Sequence, residues 1–311
     1  MQNFITYLQA KNYSNTTQKA YIRYVNDFFK WTSKDATQIE KKDILSYLEY
    51  LQTTKKQANI TRRNSLIALH HYFTFLAQNQ TITTAPTTFI KIRGTHKKTL
   101  YNIYTSEELT QLYDDFYHTF SRNFNDSHIP KNQQQQSFLS RQRNYVMLGL
   151  LLYQGLHTNE LQKITLDAID LNKATIKIPS TRKSNAKTLP LNAPQIGTLI
   201  NYINVIRPQF LAFCSETEQL FFTLPESSKR KTSTQNLIHT FKPLTKQVKS
   251  INKNFLNFKQ IRASVITHWI KTVGLRKAQY LAGHRHISST EQYLSNDIES
   301  LSDDMNKYNP F

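Results

Sequence analysis

Apolar residues in the first 80 positions recur with the spacing of helices, not of strands. In SNTTQKAYIRYVNDFFKW, Tyr21, Tyr24, Val25, Phe28 and Phe29 fall at i, i+3, i+4, i+7 and i+8. That is one helical face, opened by Ser14 or Asn15 as a cap. KKDILSYLEYLQ sets Ile44, Leu45, Leu48 and Leu51 on a second face, and NITRRNSLIALHHYFTFLAQ sets Leu66, Leu69, Tyr72, Phe73 and Leu76 on a third. Short polar links between them predict a compact helical bundle over residues 1–80.

The pattern breaks over residues 81–104, where Pro86, Gly94 and many β-branched residues interrupt it, so an extended interdomain linker is expected there. A second domain, 105–311, opens on TSEEL, in which Thr105 and Glu108 have the spacing of a capping box. The polar run 121–137 reads as a loop, and NYVMLGLLLYQGL as a buried helix ended by Gly155. ATIKIP (174–179) and AKTLPL (186–191), joined by STRKSN, predict a hairpin. Helical periodicity returns from about residue 234. The fold class is therefore mainly α: an N-terminal helical bundle, then a mixed α domain with a small antiparallel β-sheet.

Hydrophobic residues make up 39% of the 311-residue chain, enough for a core in each domain. Forty Lys and Arg against 21 Asp and Glu leave a net charge of +19, which points to a polyanionic partner. The basic residues are spread along the chain, with 13 against 5 acidic residues in positions 1–94. No apolar run reaches the roughly 18–20 residues of a membrane span, and the start lacks a signal-peptide pattern. A single cysteine, Cys214, fits a reducing cytoplasm and excludes a Cys-rich zinc site. Neither a His-x-x-x-His pair set against carboxylates nor a Gly-rich phosphate loop is present, so neither metal nor cofactor is expected.

The C-terminal third carries an ordered set of polar residues: Lys259-Gln-Ile-Arg262, then Gly283-His284, then Tyr293 nine residues after that histidine. Upstream, LLYQGLHTNEL (151–161) places Glu160 three residues after His157. In order and spacing this chain resembles the tyrosine recombinases, the family of phage-type and mobile-element integrases, over essentially its whole length. The resemblance implies a core-binding bundle that clamps double-stranded DNA and a catalytic domain that cuts and rejoins it through a 3′-phosphotyrosyl intermediate. It also implies a homotetramer working on two DNA segments.

Carried over position by position, the resemblance makes Tyr293 the nucleophile, with Arg262 and His284 on the scissile phosphate. Lys259 stands where most members have histidine, and can still donate to phosphate. Lys183, in the hairpin turn, is expected to protonate the leaving oxygen, with Lys187 or Arg182 as alternatives. The main departure is His157, which occupies an arginine position of the family. Arginine offers a charged fork of donors to phosphate, whereas neutral imidazole offers one N–H. The chain then either works with a weaker donor, borrows Arg141 or Arg143, or has become a DNA-binding regulatory or architectural protein.

Overall fold

The computed structural model describes residues 2–94, 100–122, 126–182, 184–213, 217–223 and 237–296, and it divides into two compact units, Met1–Thr99 and Leu100–Phe311. The first unit holds α1 (Gln2–Ala10), α2 (Asn15–Trp31), α3 (Lys41–Thr53) and α4 (Asn59–Gln78). Ser14 caps α2 by accepting from the Thr17 amide. The faces legible in the sequence meet in one aromatic-rich core around Phe4, Phe28, Tyr47, Leu69 and Phe73. Phe28 packs edge-on against Tyr47 and Phe73, with centroids 5.0 and 6.2 Å away, an arrangement aromatic quadrupoles favour. Residues 81–94 lie against this same unit, with Ile82, Ala85, Ile90 and Ile92 packed on its core.

The second unit begins with α5 (Ser106–Phe116), α6 (Lys131–Gln154) and α7 (Thr158–Leu161). The Thr105–Glu108 capping box forms in both directions: Glu108 N donates to Thr105 Oγ1 at 3.2 Å, and Thr105 N to Glu108 Oε2 at 2.8 Å. Helix α6 starts earlier than its apolar pattern suggests. The polar run from Lys131 onward, expected as loop, forms its first turns, because Gln and Lys are good helix formers and the apolar part downstream supplies the packing. A three-stranded antiparallel sheet follows, β1 (Ile169–Asp170), β2 (Thr175–Ile178) and β3 (Lys187–Pro190), in the order β1-β2-β3. Its central register sets Ile176 opposite Leu189 and Ile178 opposite Lys187. The remaining helices are α8 (Ala193–Asn201), α9 (Arg207–Leu211), α10 (Ile238–Ile251), α11 (Phe258–Val273), α12 (Leu275–Ala282) and α13 (Ser288–Glu291). No described helix is long and apolar enough to cross a membrane.

Helices α6 and α11 pack through the middle of the second core, and α6 stops where the chain needs a left-handed residue. Gly155 has φ +54°, and a Cβ there would stand 2.9 Å from Val265 Cγ1 on α11. Gly155→Ala meets both the conformational penalty and the overpacking, and is expected to cost about 2–4 kcal/mol in chemical denaturation. Gly197, inside α8 with open space around it, is the control: Gly197→Ala should stabilise by about 0.5–1 kcal/mol.

Candidate active site

Arg262 is held at the centre of the second unit. It projects from the first half of α11, whose Asn257 side chain caps the helix by accepting from the Lys259 and Gln260 amides. Its Nη1 donates to Gly155 O at 2.6 Å and its Nη2 to Ala282 O at 2.9 Å. Those carbonyls sit at the C-terminal ends of α6 and α12, where the helix leaves oxygens unpaired and carries partial negative charge. Glu160 Oε2 lies 3.5 Å from Nη1 and completes the cradle.

Glu160 is 4% exposed and binds more than the arginine. Its Oε1 pairs with Lys187 Nζ at 3.0 Å, and its Oε2 accepts from the His157 amide at 2.7 Å. Burial alone would raise the Glu160 carboxyl, but the Lys187 and Arg262 charges and the amide outweigh it and hold its pKa below the usual range. Lys187 reaches this carboxylate because β3 alternates: Lys187 and Leu189 face inward, Thr188 and Pro190 outward. Its Nζ also donates to Ala282 O at 3.0 Å, and the side chain is fully buried. Desolvation first, then the Arg262 charge, pull its pKa down to about 8.

His284 and Tyr293 lie beside this cluster. His284 Nε2 is 3.3 Å from Arg262 Nη2 and its Nδ1 is 2.9 Å from Thr290 Oγ1. Since guanidinium only donates, Nε2 accepts and the ring proton sits on Nδ1, facing Thr290. Desolvation and the Arg262 charge push the His284 pKa down to about 4, so the ring is neutral at pH 7. Its face stacks on Tyr293 at 5.8 Å and 10°. Gly283, φ +71°, lets the chain turn here: a Cβ would approach Asn185 O and Lys187 Cδ at 3.1 Å. The β2–β3 connection is stitched to the same turn, with Asn185 N donating to Gly283 O at 2.9 Å and Ser184 bridging His284.

The other expected residues are placed unevenly. His157 caps α7, its Nδ1 accepting from the Asn159 amide at 3.2 Å, which leaves the proton on Nε2. Desolvation and the Arg262 charge lower its pKa, and Glu160 only partly opposes them. Lys259 is exposed on the first turn of α11. Lys183 lies outside the described residues. Arg141 and Arg143 are buried elsewhere: Arg141 donates to Ser137 Oγ at 2.7 Å and Arg143 to Phe222 O at 2.9 Å. Neither stands in for the arginine missing at 157. Thr290, fully buried behind His284, had no signal in the sequence. Nor did the two helix-end carbonyls, although Gly155 and Gly283 marked where those helices stop.

A buried arginine, a histidine bonded to it and a tyrosine stacked on that histidine thus lie together in a helical unit with one small antiparallel sheet. Residues 125–299 match the phage integrase family and residues 1–82 its N-terminal SAM-like domain; the chain belongs to the phage integrase family of tyrosine recombinases. It is 24% identical over 301 residues to a tyrosine recombinase of Thermosipho africanus (strain TCF52B), covering 94% of each chain. It is 25% identical over 297 residues to the tyrosine recombinase XerC of Anoxybacillus flavithermus (strain DSM 21510 / WK1), covering 93% of this chain and 90% of that one. Its fold is similar to that of the XerH site-specific recombinase bound to palindromic difH, with a TM-score of 0.67, 17% identity and coverage of 94% and 80%. A lambda integrase tetramer bound to a Holliday junction matches with a TM-score of 0.63, 13% identity and coverage of 94% and 75%.

Two consequences are measurable. With their folded pKa values lowered, His157 and His284 bind protons more readily in the unfolded chain. As pH falls from 6.5 toward 4, unfolding is therefore favoured, and the unfolding free energy should decline over that window. His284→Asn should flatten the slope. Separately, Glu160→Gln leaves two buried cations without their anion and should cost about 3–5 kcal/mol, of which Glu160→Gln/Lys187→Met should recover a large part.

Proposed function

We propose that this chain is a site-specific recombinase that cuts and rejoins double-stranded DNA through Tyr293. The observation that carries the reading is the His284–Tyr293 stack beside a buried Arg262, three groups brought together from separate segments. Tyr293 Oη attacks the scissile phosphorus, its proton is released to water, and the O5′–phosphorus bond breaks. Arg262, His157 Nε2–H and Lys259 donate to the non-bridging oxygens, where negative charge develops. His284 stands at the same phosphate, its Nε2 accepting from Arg262 Nη2 and its ring stacked on Tyr293.

Lys183 gives its proton to the departing 5′ oxygen. Lys187 is poorly suited to that role, because its ammonium is buried and already bonded to Glu160 and Ala282 O. It acts as a positioning residue. The 3′-phosphotyrosyl bond keeps the energy of the original linkage, and a second 5′-hydroxyl reverses the steps. Assembly is a homotetramer on two DNA segments, consistent with the lambda integrase tetramer on a Holliday junction. A second reading, a DNA-binding regulator without strand cleavage, is favoured by one observation, the histidine at position 157.

Nicked duplexes drawn from the DNA flanking the gene, run on denaturing gels, separate the two. The parent chain should form a denaturant-resistant adduct, and Tyr293→Phe should form none while binding DNA within a few-fold. An adduct with Tyr293→Phe shows that another residue attacks, and no adduct with the parent leaves the regulator. His157→Arg should raise the cleavage rate by about 10²–10³, the usual effect of one aimed donor at such a site. Unchanged rates in both His157→Arg and His157→Ala would remove His157 from the phosphate site.

A further inference from the structure

One apolar side chain of the first unit is presented to solvent by a segment that is otherwise well anchored. Along residues 82–92, Ile82, Ala85, Ile90 and Ile92 face the core. Thr87 is buried, and its hydroxyl meets His70 Nδ1 at 3.0 Å. Asn59 Nδ2 donates to Arg93 O at 3.0 Å. Yet Phe89, third residue of the turn closed by Ile90 N to Thr87 O, is 90% exposed and has φ +61°. Glycine or asparagine suits that conformation, and a bulky aromatic is an outlier in it. Four other described non-glycine residues have positive φ, Asn12, Lys56, Gln80 and Ala174, and none is aromatic. Phe89 thus incurs both backbone strain and exposure, with no ring of the described residues packed on it.

The charges around it indicate what covers it. Lys91 and Arg93 alternate with the inward isoleucines, are exposed, and make no ion pair among the described residues. Their two-residue spacing in an extended chain, about 6.6 Å, lets the two long side chains reach successive phosphates of one DNA strand. The shallow groove running from Phe89 toward α3 is bordered by Lys41 and Glu40, and Lys42 Nζ neutralises that carboxylate at 2.8 Å. A second copy of a chain with net charge +19 is repelled by such a rim, whereas a duplex is drawn to it.

We propose that Phe89 is an apolar wedge for duplex DNA, inserted at a base step from the minor groove, with Lys91 and Arg93 on the flanking phosphates. The proposal rests on the recombinase reading but assigns a contact that the Arg262–His284–Tyr293 chemistry does not require.

The test uses the full chain and a mixed-sequence 30-base-pair duplex containing 2-aminopurine, about the length of a protein-bound site. Phe89→Gly relieves the strain, so its thermal midpoint should equal or exceed that of the parent, while its duplex affinity falls roughly tenfold. Phe89→Trp should bind within about twofold of the parent. Binding should raise 2-aminopurine fluorescence with the parent and the tryptophan variant but not with glycine. Lys91→Ala/Arg93→Ala should reduce the slope of log K against log salt by about two. Parent-like affinity and fluorescence in Phe89→Gly overturn the wedge, as does a marked loss of stability, which makes Phe89 structural. Parent-like DNA binding with lost multimer assembly assigns the face to a second copy and also overturns it. Failure of the parent itself to bind any duplex defeats the recombinase reading, an outcome distinct from these.

Discussion

The second unit depends on the burial of one cation. Arg262 is 8% exposed, and a guanidinium taken out of water needs compensation from every side. It finds this in the last carbonyls of two helices, Gly155 O and Ala282 O, and in the Glu160 carboxylate. Each partner belongs to a different element, so satisfying the charge fixes α6, α7, α11 and α12 relative to one another. The same carboxylate and the same Ala282 carbonyl hold Lys187, which draws the inward face of the sheet into the arrangement. Two cations, one anion and two helix ends thus make a closed network whose members lose their partners together.

Much of the electrostatic character of the site follows from that network. The positive field of Arg262 contributes to lowering both His157 and His284, and to pulling Lys187 down to about 8. A site built this way is short of negative charge at its open side, with neutral imidazoles and a half-buried phenol around a cation. The turn after α12 and the β2–β3 connection are tied by Asn185 N to Gly283 O and by Arg285 Nη2 to Thr181 O, so the hairpin and the tyrosine-bearing segment share one support.

The first unit works by different physics. Its core is a cluster of stacked and edge-on rings, with Arg62 buried beside it and bonded to Leu48 O, and Lys91 and Arg93 stand on its surface without an acidic counterpart among the described residues. Its basic exterior stays available for a polyanion.

Local periodicity made the helices of the first unit, the β2–β3 hairpin and the ends of α6 and α5 readable from residue order, because caps, turn glycines and amphipathic faces are properties of neighbouring residues. The candidate set Arg262, His284 and Tyr293 comes instead from the resemblance to the tyrosine recombinases, because residue order carries a family's motif but not the contacts its members make. The polar start of α6 carries no helical signal in residue order, since its helical state is stabilised by packing further along the same helix. Other features depend on distance in space rather than in sequence. Which lysine of the hairpin is buried on Glu160, that Thr290 sits behind His284, and that Arg141 and Arg143 are occupied elsewhere follow only from how the elements pack. The sequence names the charged groups, but desolvation and long-range partners decide which of them are held and which are left to meet a ligand.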